Sequence, residues 1–226
     1  MHGRRHTLAD AYAVRTPDDN RRLYARWADT YDAGFSGAHG YGLPDAVAAV
    51  YRTADGATDA VLDVGCGTGL VGLALARRGV TGITGIDISR EMLHKAAEKT
   101  TDDGVAVYAE VAEADLTVGI DADDGTFAGA VSAGTFTHGH VGPDALDEVL
   151  RVCRPGAVLA LSVNAELFAR DAGFGDWMAA AADAGRITDA RTERVAVYSG
   201  DALGAVGAHG VAADNAYGMV MVFTKT

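Results

Sequence analysis

The sequence is short of cysteine, of positive charge and of long apolar runs, and each shortage closes off a class of protein. Two cysteines, Cys66 and Cys153, are too few for a disulfide framework and match no metal-ligand spacing. They read as the reduced thiols of a cytosolic chain. Lys and Arg number 19 against 31 Asp and Glu, for a net charge of -12. A nucleic-acid surface needs a basic face, so that balance argues against DNA or RNA, although a local basic pocket stays open. No stretch approaches the roughly 18 consecutive apolar residues of a membrane-spanning helix. Met1 to Arg5 is polar and basic with no apolar run behind it, which does not read as a secretory signal. Together these absences predict a cytoplasmic protein with neither a membrane nor a nucleic acid as partner. There is no internal repeat and no long low-complexity linker, and the oligomeric state is not legible.

What is present is an ordinary globular balance. With 226 residues, 49% hydrophobic and 22% charged, the chain can bury one sizeable core. The expectation is one domain, with a helical cap over 1–54 and an α/β core over 55–226. Thr16-Pro17-Asp18-Asp19 has the form of a helix start: Thr as N-cap, Pro at the first helical position and acids in the first turn. Leu23, Trp27 and Thr30 or Tyr31 then recur at helical spacing through Asp32. A second helix is predicted to open at Pro44.

From Ala60 onward, strands and helices alternate. Strands are predicted over 60–64, 82–86, 105–108, 127–131 and 158–163, with helices over 70–78, 89–99 and from Pro143 between them. Arg154-Pro155-Gly156 is read as the turn into the fifth strand. Strands separated by helices of about ten residues imply parallel crossovers and a sheet covered on both faces. A helix over 176–183 and two last strands, 194–198 and 217–223, complete the pattern. The last two, joined by a Gly/Ala-rich connection, are expected to form an antiparallel hairpin at one sheet edge.

The most informative stretch is Val61-Leu62-Asp63-Val64-Gly65-Cys66-Gly67-Thr68-Gly69. A strand running into Gly-x-Gly-x-Gly and then a helix lets the backbone approach a ligand where a Cβ would clash. The N–H groups of the helix start face that ligand. Asp87 ends the next strand, where a carboxylate can accept both hydroxyl hydrogens of a ribose. The pattern therefore describes a nucleoside cofactor. Gly67-Thr68-Gly69-Leu70-Val71-Gly72 also satisfies the dinucleotide pattern G-x-G-x-x-G, so a nicotinamide-dependent oxidoreductase is an alternative. Asp63 favours S-adenosylmethionine (SAM): a carboxylate there can help bind an ammonium and would repel a pyrophosphate.

Four segments together resemble the successive motifs of class I SAM-dependent methyltransferases. They are Val61 to Gly69; Gly85-Ile86-Asp87-Ile88-Ser89 with Glu91-Met92-Leu93; Ala114-Asp115-Leu116; and Arg154-Pro155-Gly156. Tyr24 to Asp32 and Ser162-Val163-Asn164-Ala165-Glu166 resemble the Williams–Beuren syndrome region methyltransferase-like subgroup. The resemblance implies a Rossmann-like sandwich with a mostly parallel seven-stranded sheet, a C-terminal antiparallel hairpin and an N-terminal helical cap. It implies that Asp63, Gly65, Cys66, Gly67 and Gly69 surround the methionine part of SAM, that Asp87 holds the ribose and that Ile88 flanks the adenine. Asp115 and Leu116 would sit at the adenine edge, and Ser132 to Thr135, Gly134 among them, would border the sulfonium. One departure is Phe127-Ala128-Gly129, which lacks an acid the family often carries before its fourth strand.

Around the methyl group, His138 and His140 are the candidates for catalysis or substrate binding, since His accepts a proton near neutral pH. Their spacing lacks the further ligand a metal would need. Tyr24, Trp27 and Tyr31 share a helix face and form either core packing or an aromatic lid over the cofactor. His39 and Tyr41 are candidates for a substrate entrance. Glu166 is read either as a contact for a cationic substrate or as a helix-start acid. The expected activity is methyl transfer to an N, O or S atom of a small molecule, and a non-catalytic SAM-binding partner subunit is the alternative outside the enzymes.

Overall fold

The computed structural model describes residues 16–28, 41–137, 141–170, 173–198 and 217–226, with the side chains of Pro17, Asn20 and Trp27 left aside. Helix α1 (Pro17–Trp27) starts as its sequence dictates, for Thr16 Oγ1 accepts from the Asp19 N–H at 3.1 Å. The expected continuation to Asp32 lies outside the described residues. Helix α2 (Leu43–Thr53) follows and buries Val47, Ala48 and Tyr51.

Strand β1 (Val61–Val64) is buried along its whole length. It lies between β2 (Ile83–Asp87) and β4 (Phe127–Phe136), parallel to both. After β1 come α3 (Leu70–Ala76), β2, α4 (Arg90–Ala97) and β3 (Tyr108–Glu113). Beyond β4 come α5 (Ala145–Val152), β5 (Cys153–Val163), α6 (Ala165–Ala169), α7 (Phe174–Asp183), β6 (Ile187–Ala196) and β7 (Tyr217–Lys225). The sheet order is β3-β2-β1-β4-β5-β7-β6. Strands β1 to β5 are parallel, and β7 is antiparallel to both of its neighbours. The predicted fold class and the edge hairpin are both present.

The chain moves outward from β1 to β3 and then restarts on the other side of β1 with β4. The crevice at the carboxyl ends of β1 and β4 is therefore a topological switch point, where such sheets bind ligands. Side chains alternate across β1. Leu62 and Val64 join the apolar layer of α5 and α7, whereas Val61 joins that of α2, α3 and α4. Leu23 and Ala28 of the α1 region pack against Met92 of α4, which docks the cap on the core.

Several boundaries differ from the sequence reading, each for a local reason. The third strand is 108–113, not 105–108, because β3 is an outer strand whose Ala109, Glu110 and Glu113 are exposed and dilute its apolar signal. The same holds at the other edge, where β6 begins at Ile187 and carries the exposed Thr188, Asp189 and Arg191. Strand β5 starts at Cys153, so Arg154-Pro155-Gly156 is a bulge inside it: Phe127 pairs with Cys153, but Gly129 pairs with Val158. The space that opens beside Gly129 is filled by Tyr51, since a Cβ there would lie 2.1 Å from the tyrosine oxygen.

Candidate active site

A cavity of about 220 Å³ lies over the carboxyl ends of the central strands. Gly65, Cys66 and Gly67 form its floor, Asp87 and Ile88 one flank, and Asp115 and Leu116 the far end beyond β3. Gly134, Thr135, Thr137, Ser162 and Asn164 line the opposite side, and Tyr24, Tyr41, Tyr198 and Tyr217 rise around it.

The floor is set by backbone geometry. Gly65, Gly67 and Gly69 have φ of +65°, +54° and +92°, values that L side chains rarely adopt. A Cβ at Gly65 would lie 2.0 Å from Thr135 Oγ1, whereas one at Gly67 would meet nothing within 4 Å. Gly67 thus leaves its open side to the cavity. The Asp87 carboxylate bridges this loop and the next, accepting from the Gly67 N–H at 2.9 Å and the Ser89 N–H at 2.8 Å. Burial raises its pKa, and backbone N–H donors from Ser89, Gly67 and Ile88 partly offset the rise.

On the opposite side, Ser132 Oγ and Thr135 Oγ1 donate to the Val64 carbonyl at 2.8 and 3.0 Å, fastening the end of β4 to β1. The Gly134 N–H donates to Ser162 Oγ at 2.9 Å, tying in β5. At the far end, Asp115 Oδ1 accepts from the Thr117 N–H and hydroxyl at 3.0 and 2.6 Å. Its Oδ2 accepts from Arg21 of α1 at 3.1 Å. The Asp87 and Asp115 carboxylates are therefore both held by donors from the protein itself.

Of the residues singled out from sequence, Tyr24, Gly65, Cys66, Gly67, Asp87, Ile88, Asp115, Leu116 and Gly134 lie on the cavity wall. Asp63, Gly69 and Ser132 stand behind it. Asp63 is fully buried and accepts from the Tyr108 hydroxyl at 2.6 Å, while its Oδ1 has no hydrogen-bond partner among the described residues. Burial pushes this carboxyl up to about 7, and the Tyr108 bond partly offsets that rise. The Cys66 thiol is also raised by burial and stays protonated. Tyr31, His39, His138 and His140 lie outside the described residues, as does the side chain of Trp27. Thr137 and Val141, which flank the two histidines in sequence, both line the cavity. Glu166 sits in the first turn of α6, where Asn164 caps the helix, and pairs with Arg170 at 2.7 Å.

Sequence reasoning missed Arg21, Tyr198 and Tyr217. Tyr41 and Tyr198 form an antiparallel bridge with ring centroids 6.2 Å apart, a contact between residues far apart in the chain. Tyr217 opens β7, and only the strand ends, which sequence places poorly, could have pointed to it.

The comparisons decide the family. A family model described as a methyltransferase domain matches residues 61–156, from β1 into β5. The phosphatidylethanolamine N-methyltransferase of Cereibacter sphaeroides is 36% identical over 152 residues, 67% of this chain and 70% of that protein. The chain belongs to the class I SAM-dependent methyltransferases. Among solved structures, magnesium protoporphyrin IX methyltransferase from Synechocystis PCC 6803, with bound SAM, shares the fold. It superposes with a TM-score of 0.62 at 18% identity, over 99% of this chain and 100% of that one. The Haemonchus contortus phosphoethanolamine N-methyltransferase 2, in complex with phosphomonomethylethanolamine and S-adenosylhomocysteine, gives a TM-score of 0.60 at 13% identity. That match covers 90% of this chain and 60% of that one. The cofactor of this methyltransferase is SAM, and the nicotinamide alternative falls away. Gly72, which completed the dinucleotide pattern, has another reason to be glycine: a Cβ there would lie 2.4 Å from the Tyr108 ring. No helix among the described residues is long and apolar enough to cross a membrane.

Proposed function

We propose that this methyltransferase acts in the cytoplasm, as one domain with a helical cap, on an N, O or S atom of a small molecule. The acceptor would enter the cavity at the end bordered by Tyr41, Tyr198 and Asn164. The observation that carries this reading is one shared cavity, walled by the glycine loop and Asp87 on one side and by the ends of β4 and β5 with two tyrosines on the other. A cofactor on the glycine floor and a small acceptor opposite it would share one water-poor space.

The residues present fit SAM. Gly67 leaves open the space a Cβ would fill, Asp87 offers two oriented oxygens, and Asp115 waits at the end of the cavity. Gly65, Cys66, Gly67 and Gly69 would surround the methionine part, with Asp63 contributing negative charge from behind the loop as pH rises through its pKa of about 7. Asp87 would hold the ribose, Ile88 and Leu116 would flank the adenine, and Asp115 would accept from its amine. Ser132 would fix the strand end beside the sulfonium and Gly134 would border it. Tyr24, with Trp27 and Tyr31, would form the lid.

When bound, SAM supplies a methyl group on a sulfonium, which is already electrophilic. The chain then has two tasks. Its walls align the acceptor in line with the carbon–sulfur bond and exclude water, which is worth several kcal/mol. His138, or His140 beside it, takes the proton if the acceptor arrives protonated. The segments Tyr24 to Asp32 and Ser162 to Glu166 support membership of the Williams–Beuren syndrome region subgroup within the family.

Incubation with methyl-labelled SAM and a panel of small amines, thiols and phenols tests the proposal. Label should pass to at least one of them, with kcat reduced in His138→Ala and S-adenosylhomocysteine affinity unchanged. Transfer confined to protein or nucleic acid would overturn the small-molecule reading.

A further inference from the structure

Three glycines converge on one ring. A Cβ at Gly69 would lie 2.8 Å from Tyr108 Cε2, one at Gly72 2.4 Å from Cζ, and one at Gly85 2.8 Å from Cε1. Gly69 needs its left-handed backbone in any case, but Gly72 and Gly85 have no positive φ that would demand glycine. What excludes a side chain is the tyrosine at Gly72, and at Gly85 the tyrosine together with Cys66 Sγ, 2.9 Å from the Cβ position. Tyr108 opens β3, the outer strand, and reaches past Gly85 of β2 to β1, where its hydroxyl donates to Asp63 at 2.6 Å.

These contacts fall on both ends of the cofactor loop. Asp63 lies two residues before Gly65, where the loop begins, and Gly69 and Gly72 lie where it ends and α3 starts. The ring and its hydroxyl therefore span the loop from behind, out of reach of the ligand: Tyr108 is buried and does not line the cavity. We propose that Tyr108 is a positioning residue for the cofactor loop, holding β1 and the first turn of α3 at the separation that cofactor binding requires.

This inference rests on the cofactor assignment above. Without the strut, three residues with positive φ are free to leave the bound conformation, and the ligand must restore it at the expense of affinity. The Asp63 carboxyl completes the device. Its neighbours among the titratable groups are Tyr108 from β3, Cys66 of the loop and Asp87 from β2. Loss of the Tyr108 hydroxyl removes one support of the ionised form, leaving the Gly72 N–H to oppose burial and the nearby Asp87 charge, both of which favour the protonated form.

The test is calorimetry with S-adenosylhomocysteine on Tyr108→Phe, Tyr108→Leu, Gly72→Ala and the double variant Gly72→Ala/Tyr108→Leu. Tyr108→Phe keeps the ring and the fold but should bind about fivefold more weakly. The pH at which affinity rises should also move upward, a shift that a space-filling ring alone would not produce. Gly72→Ala should weaken binding about tenfold or more in the native background and by less than about threefold in the Tyr108→Leu background, because the clash is gone. Equal losses in both backgrounds, or native affinity and an unmoved pH profile in Tyr108→Phe, would overturn the inference. Failure of the unaltered protein to bind S-adenosylhomocysteine would instead remove the cofactor assignment, and this inference with it.

Discussion

Alanine at Gly65 and at Gly67 should have opposite consequences, although the two glycines are two residues apart and both have positive φ. The shared part is strain: an L residue in the left-handed region costs about 1–2 kcal/mol. At Gly67 little else is lost in the unliganded protein, since a Cβ there meets nothing within 4 Å. For a chain of 226 residues, that strain lowers the thermal midpoint by about 2–8 °C. The new methyl sits at the cavity wall, in space a cofactor would use. Overpacking of about 1–3 kcal/mol weakens binding between about fivefold and 150-fold. At Gly65 the Cβ would lie 2.0 Å from Thr135 Oγ1, which donates to the Val64 carbonyl. Strain, overpacking and the lost hydrogen bond together reach about 3–6 kcal/mol. The midpoint should fall by about 6–24 °C. Thermal unfolding and S-adenosylhomocysteine calorimetry on the two variants provide the check. Gly67→Ala with native affinity, or Gly65→Ala with a native midpoint, would refute the reasoning.

Asp87→Ala removes the acceptor for the Gly67 and Ser89 N–H groups and, in the proposed assignment, that for the ribose. Two hydrogen bonds to a charged acceptor, at about 1.5–3 kcal/mol each, predict at least a hundredfold loss of S-adenosylhomocysteine affinity, and a loss under tenfold would be inconsistent with it. Asp63 should give stability a pH slope of a particular sign. Its folded pKa of about 7 lies above the usual carboxylate value, so the folded state holds a proton that the unfolded state has released. Stability should therefore fall as pH rises from about 4 to about 7, and Asp63→Asn should flatten that slope in midpoints measured across the range. Arg151 donates to Glu148, to Asp124 and to the Ile120 and Ala122 carbonyls, pinning the connection between β3 and β4 away from the cavity. Arg151→Ala should cost about 1–3 kcal/mol of stability, lowering the thermal midpoint by about 2–12 °C, and leave S-adenosylhomocysteine affinity unchanged in calorimetry.

The glycine loop and Asp87 were legible in the sequence because their chemistry is local: a short strand, a left-handed turn and a helix start follow one another in the chain. The central strands were legible because both faces are covered, which leaves near-continuous apolar runs such as Val61 to Val64. The outer strands β3 and β6 were misplaced because one side faces water and breaks the pattern. Contacts between distant segments left no trace in the sequence. Nothing in the spacing shows that Tyr108 fills the room beside Gly72 and Gly85, or that Arg21 reaches Asp115. Asp63 was chosen for its charge, yet alternation along β1 puts it on the face where Tyr108 waits, behind the loop instead of on the cavity wall.

We propose that the crevice between β1 and β4 seats the adenosyl cofactor. Its most direct test is calorimetric titration of the unaltered protein with S-adenosylhomocysteine, with NAD as control. Saturable binding of S-adenosylhomocysteine at one site, and none of NAD, is the expected result. No saturable binding, or a preference for NAD, would contradict it.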